Sequence, residues 1–317
     1  MEAATATGNV VRPQRKRRRT AAQDERRLAR LMISPSIFLI LVVAAYPIGY
    51  AVWLSLHEYS VIHPGLSRWA APGGLGNYQE AFQSSEFVAS IRNTFIFTFF
   101  SVLLELILGV AMALIMHNAT KGRGVLRTIV LVPWAVLTVV TAIMWQTIFE
   151  PSLGFVNTVL STLHLPGADT VWLGQSPEAM AVLIFADVWK TAPFMALLIL
   201  AGLQVISDDV YDAAKVDGAT AWQRFTRITL PLLKPAILVA LIFRTLDALR
   251  IFDLPFVLTK GQNNTNTLSL EAYQELRENR LIGLGSAMSI ITFVIVMLVS
   301  FIYIRAVGGN IRGMSEE

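Results

Sequence analysis

The sequence predicts an all-α polytopic membrane protein with six transmembrane helices. Three observations carry that prediction. Of its 317 residues, 54% are hydrophobic and only 15% charged, against roughly 25% charged in an ordinary soluble domain, and the mean hydropathy is +0.56. Six separate stretches approach or exceed the roughly 20 apolar residues that cross a hydrocarbon core as a helix. The basic residues gather in alternate connections between those stretches. This composition excludes a disordered chain, a coiled coil and a collagen-like fibre, and argues against the soluble two-domain enzyme that length alone would permit. Cysteine is absent, so disulfides, thiolate metal sites and cysteine nucleophiles are excluded. The histidines His57, His63, His117 and His164 lack metal-ligand spacing, and no Gly-x-x-x-x-Gly-Lys-Ser/Thr run supplies an ATP-binding loop of the usual kind.

A basic tail, residues 1–30, precedes the first span. Its position beside a span reads as a topology signal and an attraction to anionic lipid rather than a nucleic-acid site. Its charged region is too long, and the following apolar run too extended, for a cleaved signal peptide. The membrane-embedded region is 31–317, with spans at about 31–56, 91–116, 128–149, 179–206, 237–258 and 287–307. Each is read as a helix, because a helix satisfies its own backbone groups in lipid and no alternating barrel pattern is present. With both termini on one side, that side collects eighteen Lys and Arg from the tail, the loop after span two, the loop after span four and the C-terminal end, against five in the other connections. The excess places both termini in the cytoplasm. The first outer loop carries the breakers Pro64, Gly65, Pro72, Gly73, Gly74 and Gly76, and the second, 150–178, has no Lys or Arg.

The connection between spans four and five, 207–235, is long enough to hold structure. Ser207 can cap a helix whose first turns carry Asp208, Asp209 and Asp212 near the positive end. Gly218 breaks that helix with a bend, and a second helical stretch, 219–230, is expected to stop at Pro231, with Pro235 marking the start of span five.

The run Asp212-Ala213-Ala214-Lys215-Val216-Asp217-Gly218-Ala219, followed by Trp222, Phe225, Ile228, Thr229, Leu230, Pro231 and Pro235, resembles the signature loop of bacterial ABC-importer permeases of the carbohydrate-uptake branch. The resemblance extends from about Ser34 to the C-terminal part of the chain. It includes Gly74-Leu75-Gly76-Asn77-Tyr78, Asn93-Thr94, Gly154 with Asn157, Trp189 with Pro193-Phe194, and Phe252-Asp253 with Leu258-Thr259. Lys260-Gly261-Gln262 departs from the family's usual Gly-Gly-Pro, which opens the question of the third outer loop's shape. The resemblance implies a multi-pass permease of the bacterial cytoplasmic membrane importing a sugar, with disaccharide (trehalose) uptake the activity implied. It implies no catalysis and no cofactor in this chain, with ATP and Mg bound by a partner ATPase. The implied partners are a second homologous permease, a cytoplasmic ABC ATPase dimer, an extracytoplasmic sugar-binding lipoprotein and membrane lipid, with no nucleic acid. It further implies that 207–235 holds a coupling helix, with Asp212, Ala213, Ala214, Lys215, Asp217, Gly218 and Ala219 meeting the ATPase.

Charges inside the spans are the other functional signal. A charged residue near mid-membrane costs about 2.5–3.5 kcal/mol, while each Leu, Ile, Phe or Val returns about 0.3–0.6. Span five holds Arg244, Asp247, Arg250 and Asp253, so its charged side should face protein or a water-filled cavity. Helical spacing predicts the pairs Arg244–Asp247, Asp247–Arg250 and Asp187–Lys190, with Glu105 needing a partner on another helix or in a second subunit. A sugar path needs hydrogen-bonding groups beside aromatic faces, and its candidates are Asn93, Trp145, Gln146, Trp189, Lys190, Arg244, Asp247 and Arg250. Trp53, Trp134 and Trp172 read instead as interfacial residues. Two other classes stay open on these residues alone. One is a secondary transporter using the intramembrane carboxylates as ion relays; the other is a polytopic membrane transferase built on Asp208, Asp209, Asp212 and Asp217.

Overall fold

A computed structural model of the chain describes residues 21–59, 68–69, 74–119 and 121–314. The tail up to residue 20 and the breakers Pro64, Gly65, Pro72 and Gly73 lie outside the described residues. The chain forms two units, 1–50 and 51–317. α1 (Ala21–Ile40) begins inside the segment assigned to the tail and is followed by a π turn at Leu41–Ala45 and by α2 (Tyr46–Ser55), whose last five residues belong to the second unit. Leu28–Ser55 is apolar and long enough to cross a membrane.

In the second unit β1 (His57–Glu58) pairs antiparallel with β2 (Arg68–Trp69). They are followed by α3 (Gly76–Gln83), α4 (Ser85–Asn118), α5 (Arg123–Ala135), α6 (Thr138–Ile148), α7 (Phe155–Thr162) and α8 (Glu178–Leu203). Then come α9 (Asp208–Val216), α10 (Ala221–Arg224), a π turn at Phe225–Thr229 and α11 (Leu230–Ala248). The chain finishes with α12 (Asp253–Leu258), α13 (Leu268–Tyr273), a π turn at Gln274–Glu278 and α14 (Ile282–Met314).

α4 shows why these helices assemble as a membrane bundle. Its buried side carries Asn93, Thr94, Ser101, Glu105 and Gly109, while Phe99 and Ile107 are exposed. The small and polar groups of α4 turn inward together with Phe87, Phe97 and Met116, so the outward face is left to apolar side chains, as lipid requires. At Gly109 a Cβ would sit 3.0 Å from the Met195 Cβ, so the missing side chain lets α4 and α8 approach closely. Glu105 meets Thr191 and Gly109 faces Met195, so α4 and α8 run parallel. Asp187 meets Arg244 and Gly202 faces Ala236, so α11 runs antiparallel to both. One end of the bundle therefore gathers the C-termini of α4 and α8 with α9 and α10. The other gathers α3, α12 and α13, where Phe87, Leu268, Leu284 and Met288 pack together.

Three expectations are corrected. Span three is two helices, α5 and α6, meeting at 86°. Pro133 lacks the N–H that would tie the last turn of α5, Val136 is extended, and Lys190 Nζ donates to the freed carbonyls of Val136 (2.5 Å) and Trp134 (3.5 Å). Span five as a helix ends at Ala248 rather than Leu258. A continuous helix would need Pro255 to donate to the Ile251 carbonyl, which it cannot; the Thr267 hydroxyl donates there instead, at 3.0 Å. Pro231 does not stop the second helical stretch. The wider π turn before it takes up the missing bond, with Leu230 N–H donating to Phe225 O, and helical structure continues from Ala221 to Ala248.

Candidate functional site

The sequence-predicted residues fall into four groups. The first is a buried charge cluster linking α4, α8 and α11. Arg244 is 3% exposed, Glu105 0% and Asp187 5%. The Arg244 guanidinium donates through Nε to Glu105 and through Nη2 to Asp187. Its Nη1 reaches Asp247 Oδ2 at 3.0 Å, and the Thr191 hydroxyl donates to Glu105 at 2.6 Å. A fork of planar donors suits this role, since one guanidinium answers carboxylates from three directions. The expected Arg244–Asp247 pair forms, and Glu105 finds its partner on another helix of the same chain. Asp187 pairs with Arg244 rather than with Lys190, which is occupied by the carbonyls of the broken span. Asp247 is a mixed case: its side chain is 72% exposed although one oxygen touches the cluster.

Arg250 is exposed and its Nε donates to its own helix at Leu246 O, 3.1 Å, in place of the expected Asp247 pair. Gln146 is exposed as well. The second group is aromatic. Trp145 stands edge-on to Phe185 at 5.0 Å and to Trp189 at 5.5 Å. Trp172 joins through Phe149 at 5.8 Å, and its indole N–H donates to Asn157 Oδ1 at 2.6 Å. Trp172 is thus half-buried and tied to the Gly154/Asn157 motif.

The third group is α9 and its bend. Ser207 Oγ caps α9 by accepting from Asp209 N–H at 3.3 Å. Gly218 has φ +77°, and the Ala219 N–H closes the helix end on Ala214 O at 2.9 Å. Thr220 and Gln223 form a reciprocal capping box that starts α10; its Thr-x-x-Gln spacing is the sequence signal that marks this start. Tyr211 OH and Thr229 Oγ1, 3.1 Å apart, join α9 to the π turn. Asp212, Ala213, Lys215, Asp217 and Gly218 are exposed, Ala219 is half-buried and Ala214 is buried. Asp212 pairs with Lys215 at 2.7 Å on the surface, where such a pair is worth well under about 1 kcal/mol. Val216 and Trp222, which are not among the residues expected to meet the ATPase, are 88% and 71% exposed. Two large apolar groups standing in solvent beside the bend are a contact signal that depends on burial and not on residue order.

The fourth group lies at the opposite end. Asn93, 3% exposed, donates to the Asn266 carbonyl at 3.2 Å and fixes α4 to the 259–267 segment. Nearby, burial pushes the Glu271 carboxyl up to about 7, reinforced by Glu86 and Glu275. Burial likewise raises Glu275. The folded state therefore holds the Glu271 proton at pH values where the unfolded chain, with an ordinary carboxyl near 4.5, has released it. Stability contributed by this group falls as pH rises through that window. Thermal unfolding followed between those pH values is expected to show this slope, and Glu271→Gln is expected to flatten it.

Residues 105–311 match the family described as the binding-protein-dependent transport system inner membrane component. The chain is 42% identical to the trehalose transport system permease protein SugA of Mycobacterium tuberculosis, over 91% of each chain. It is 44% identical to the trehalose/maltose transport system permease protein MalF of Thermococcus litoralis, over 89% of this chain and 94% of that one. A crystal structure of a bacterial alginate ABC transporter, in complex with an alginate pentasaccharide-bound periplasmic protein, contains a chain that superposes with a TM-score of 0.76 at 27% identity. That match covers 89% of this chain and 95% of the other.

Proposed function

The chain belongs to the family of binding-protein-dependent transport system inner membrane components, and from that membership we infer that it is one permease subunit of an ATP-driven sugar importer. A disaccharide of the trehalose and maltose class is the proposed cargo. The observation that carries this reading is the reach of the similarity: identity to the trehalose permease runs over 91% of the chain and is not confined to one loop.

In this reading both termini face the cytoplasm, so α9 and α10 stand on the cytoplasmic side. The exposed face from Asp212 to Gly218, extended by Val216 and Trp222, meets one subunit of a separate ATPase dimer, which holds the ATP and Mg. This chain contributes no catalytic group. A second, homologous permease completes the pathway, and an extracytoplasmic sugar-binding lipoprotein delivers the cargo. Nucleotide binding moves α9, and the helical run from Ala221 to Ala248 carries the movement without a break to Arg244. There α4, α8 and α11 shift together between two packings of similar energy.

Uptake of labelled trehalose by a strain lacking and then regaining the gene is expected to need ATP and to survive ionophores; ionophore-sensitive uptake would instead indicate a secondary transporter. A cysteine at Val216, unique in a chain with no native cysteine, is expected to crosslink to the ATPase, while one at buried Ala214 is not. Absence of any crosslink at positions 212, 213, 215, 216, 217 and 218 would defeat the docking face. Asp247→Ala is expected to lower uptake with the membrane level of the chain near wild type, because its side chain is 72% exposed and only one of its oxygens touches the cluster. A fall in level instead would make Asp247 a structural member of the cluster.

A further inference from the structure

At the end of the bundle away from α9, a cavity of about 820 Å³ opens between the first turns of α4 and the segment that follows α12. Five amide side chains line it: Asn93, Gln262, Asn264, Asn266 and Gln274, with Lys260 beside them. The Phe256 ring forms part of its wall and is braced by Phe252 at 5.2 Å and Tyr273 at 5.4 Å. This is the segment where Lys260-Gly261-Gln262 replaces the pattern expected of the family.

The wall is built rather than loose. Lys260, Asn263 and Asn264 all hold positive φ, at 54°, 57° and 60°, a conformation that surrounding contacts must maintain in non-glycine residues. Cross-links hold them there. Asn263 donates to Leu173 O at 2.9 Å, Gln274 to Lys260 O at 3.3 Å, and Thr259 and Thr265 share a hydrogen bond at 2.5 Å. Asn266 Nδ2 is spent on Gln274, at 3.1 Å, and on Glu271. Its Oδ1 is buried with no hydrogen-bond partner among the described residues, an unusual state for a buried amide.

We propose that this cavity is a receiving site for an uncharged oligosaccharide at the extracytoplasmic mouth of the permease. The proposal rests on the importer reading above and adds a location to it. Amides offer a donor and an acceptor side by side, which matches adjacent sugar hydroxyls; a phenylalanine face matches the apolar C–H face of a pyranose. A preformed polar wall costs little ordering on binding. A lipid chain would find five amides to desolvate, and an acidic sugar would meet the carboxylates of Glu86 and Glu278.

The test uses the assembled complex in lipid nanodiscs. Ala89→Cys places a single thiol in a helical turn that lines the cavity. Its rate of reaction with a water-soluble maleimide is measured with trehalose, without it, and with mannitol at equal osmolarity. Trehalose at ten times its dissociation constant is expected to slow labelling roughly tenfold, and mannitol to leave it unchanged. Asn264→Gly, which suits the positive φ and removes only the amide, combined with Gln262→Ala, is expected to raise the protecting concentration about tenfold or more. That shift corresponds to about 1.4 kcal/mol of lost contact. Three results would overturn the proposal: no protection up to saturating sugar, protection by the binding protein whether or not sugar is present, or a thiol unreactive in the sugar-free complex because a neighbouring subunit fills the space. Uptake is measured in parallel on the same complex reconstituted into sealed proteoliposomes. Uptake without protection rejects the cavity and leaves the importer standing, while absence of sugar uptake rejects the importer itself.

Discussion

Arg244→Met is expected to remove most of the chain from the membrane fraction. The side chain is 3% exposed and answers two carboxylates that are themselves buried, Glu105 at 0% and Asp187 at 5%. Removing the guanidinium leaves both without their cation in an apolar surround. Breaking a buried ion pair from one side costs about 3–5 kcal/mol, a large share of the roughly 5–15 kcal/mol that holds a domain together. The three groups sit on α11, α4 and α8, so the loss falls where those helices cross. Arg244→Lys is expected to recover only part of the level, since an ammonium cannot reach Glu105, Asp187 and Asp247 through one planar fork. The discriminating variant carries Arg244→Met, Glu105→Gln and Asp187→Asn together. Removing all three charges abolishes the orphaned carboxylates, and its membrane level is expected to exceed that of Arg244→Met alone. Quantified immunoblots of solubilised membranes check this. A wild-type level for Arg244→Met would show that the cluster does not hold the helices together.

The spans were legible because apolar length is a local property, and the family was legible because its signature loop is a continuous run of residues. Polar satisfaction across helices is not local. The Asp187–Lys190 pair had the right spacing and still did not form, because Arg244 on α11 outcompeted Lys190, which found carbonyls freed at the break in span three. That break is set by Pro133 in α5 and by a lysine 54 residues further along the chain, which no window on span three contains. The end of span five has the same origin. Pro255 is visible in sequence, but the hydroxyl that takes over its missing bond, Thr267, belongs to a later loop. Pro231 misled in the other direction, because a π turn absorbed it. Of the path candidates, Asn93 proved to hold the loop at the cavity mouth, Lys190 to close a broken helix and Arg244 to tie three helices. Asp247, Arg250 and Gln146 are left uncovered by the rest of this chain, and exposure of this kind depends on the packed bundle rather than on residue type.

Gly218→Val is expected to uncouple ATP hydrolysis from uptake while leaving insertion intact. At this position nothing lies within 4 Å of where a Cβ would stand, so crowding is not the obstacle. The obstacle is the backbone: φ is +77°, and a left-handed conformation costs an ordinary L-residue about 1–2 kcal/mol, more for a β-branched one. The bend closes α9 through Ala219 N–H to Ala214 O and delivers the chain into the Thr220 capping box. If valine relaxes toward negative φ, both features are lost and α9 swings relative to α10. Val216 and Trp222, on either side of the bend, then no longer present one surface. A shift of one to two kcal/mol between docked and undocked arrangements corresponds to roughly five- to thirty-fold in population. Sugar transported per ATP hydrolysed is expected to fall by a factor in that range. Gly218→Asn offers the control: asparagine tolerates positive φ far better than valine, so this variant is expected to retain most of the coupling. Equal transport per ATP in the valine variant, at matched membrane level, would count against the proposed ATPase contact at this bend.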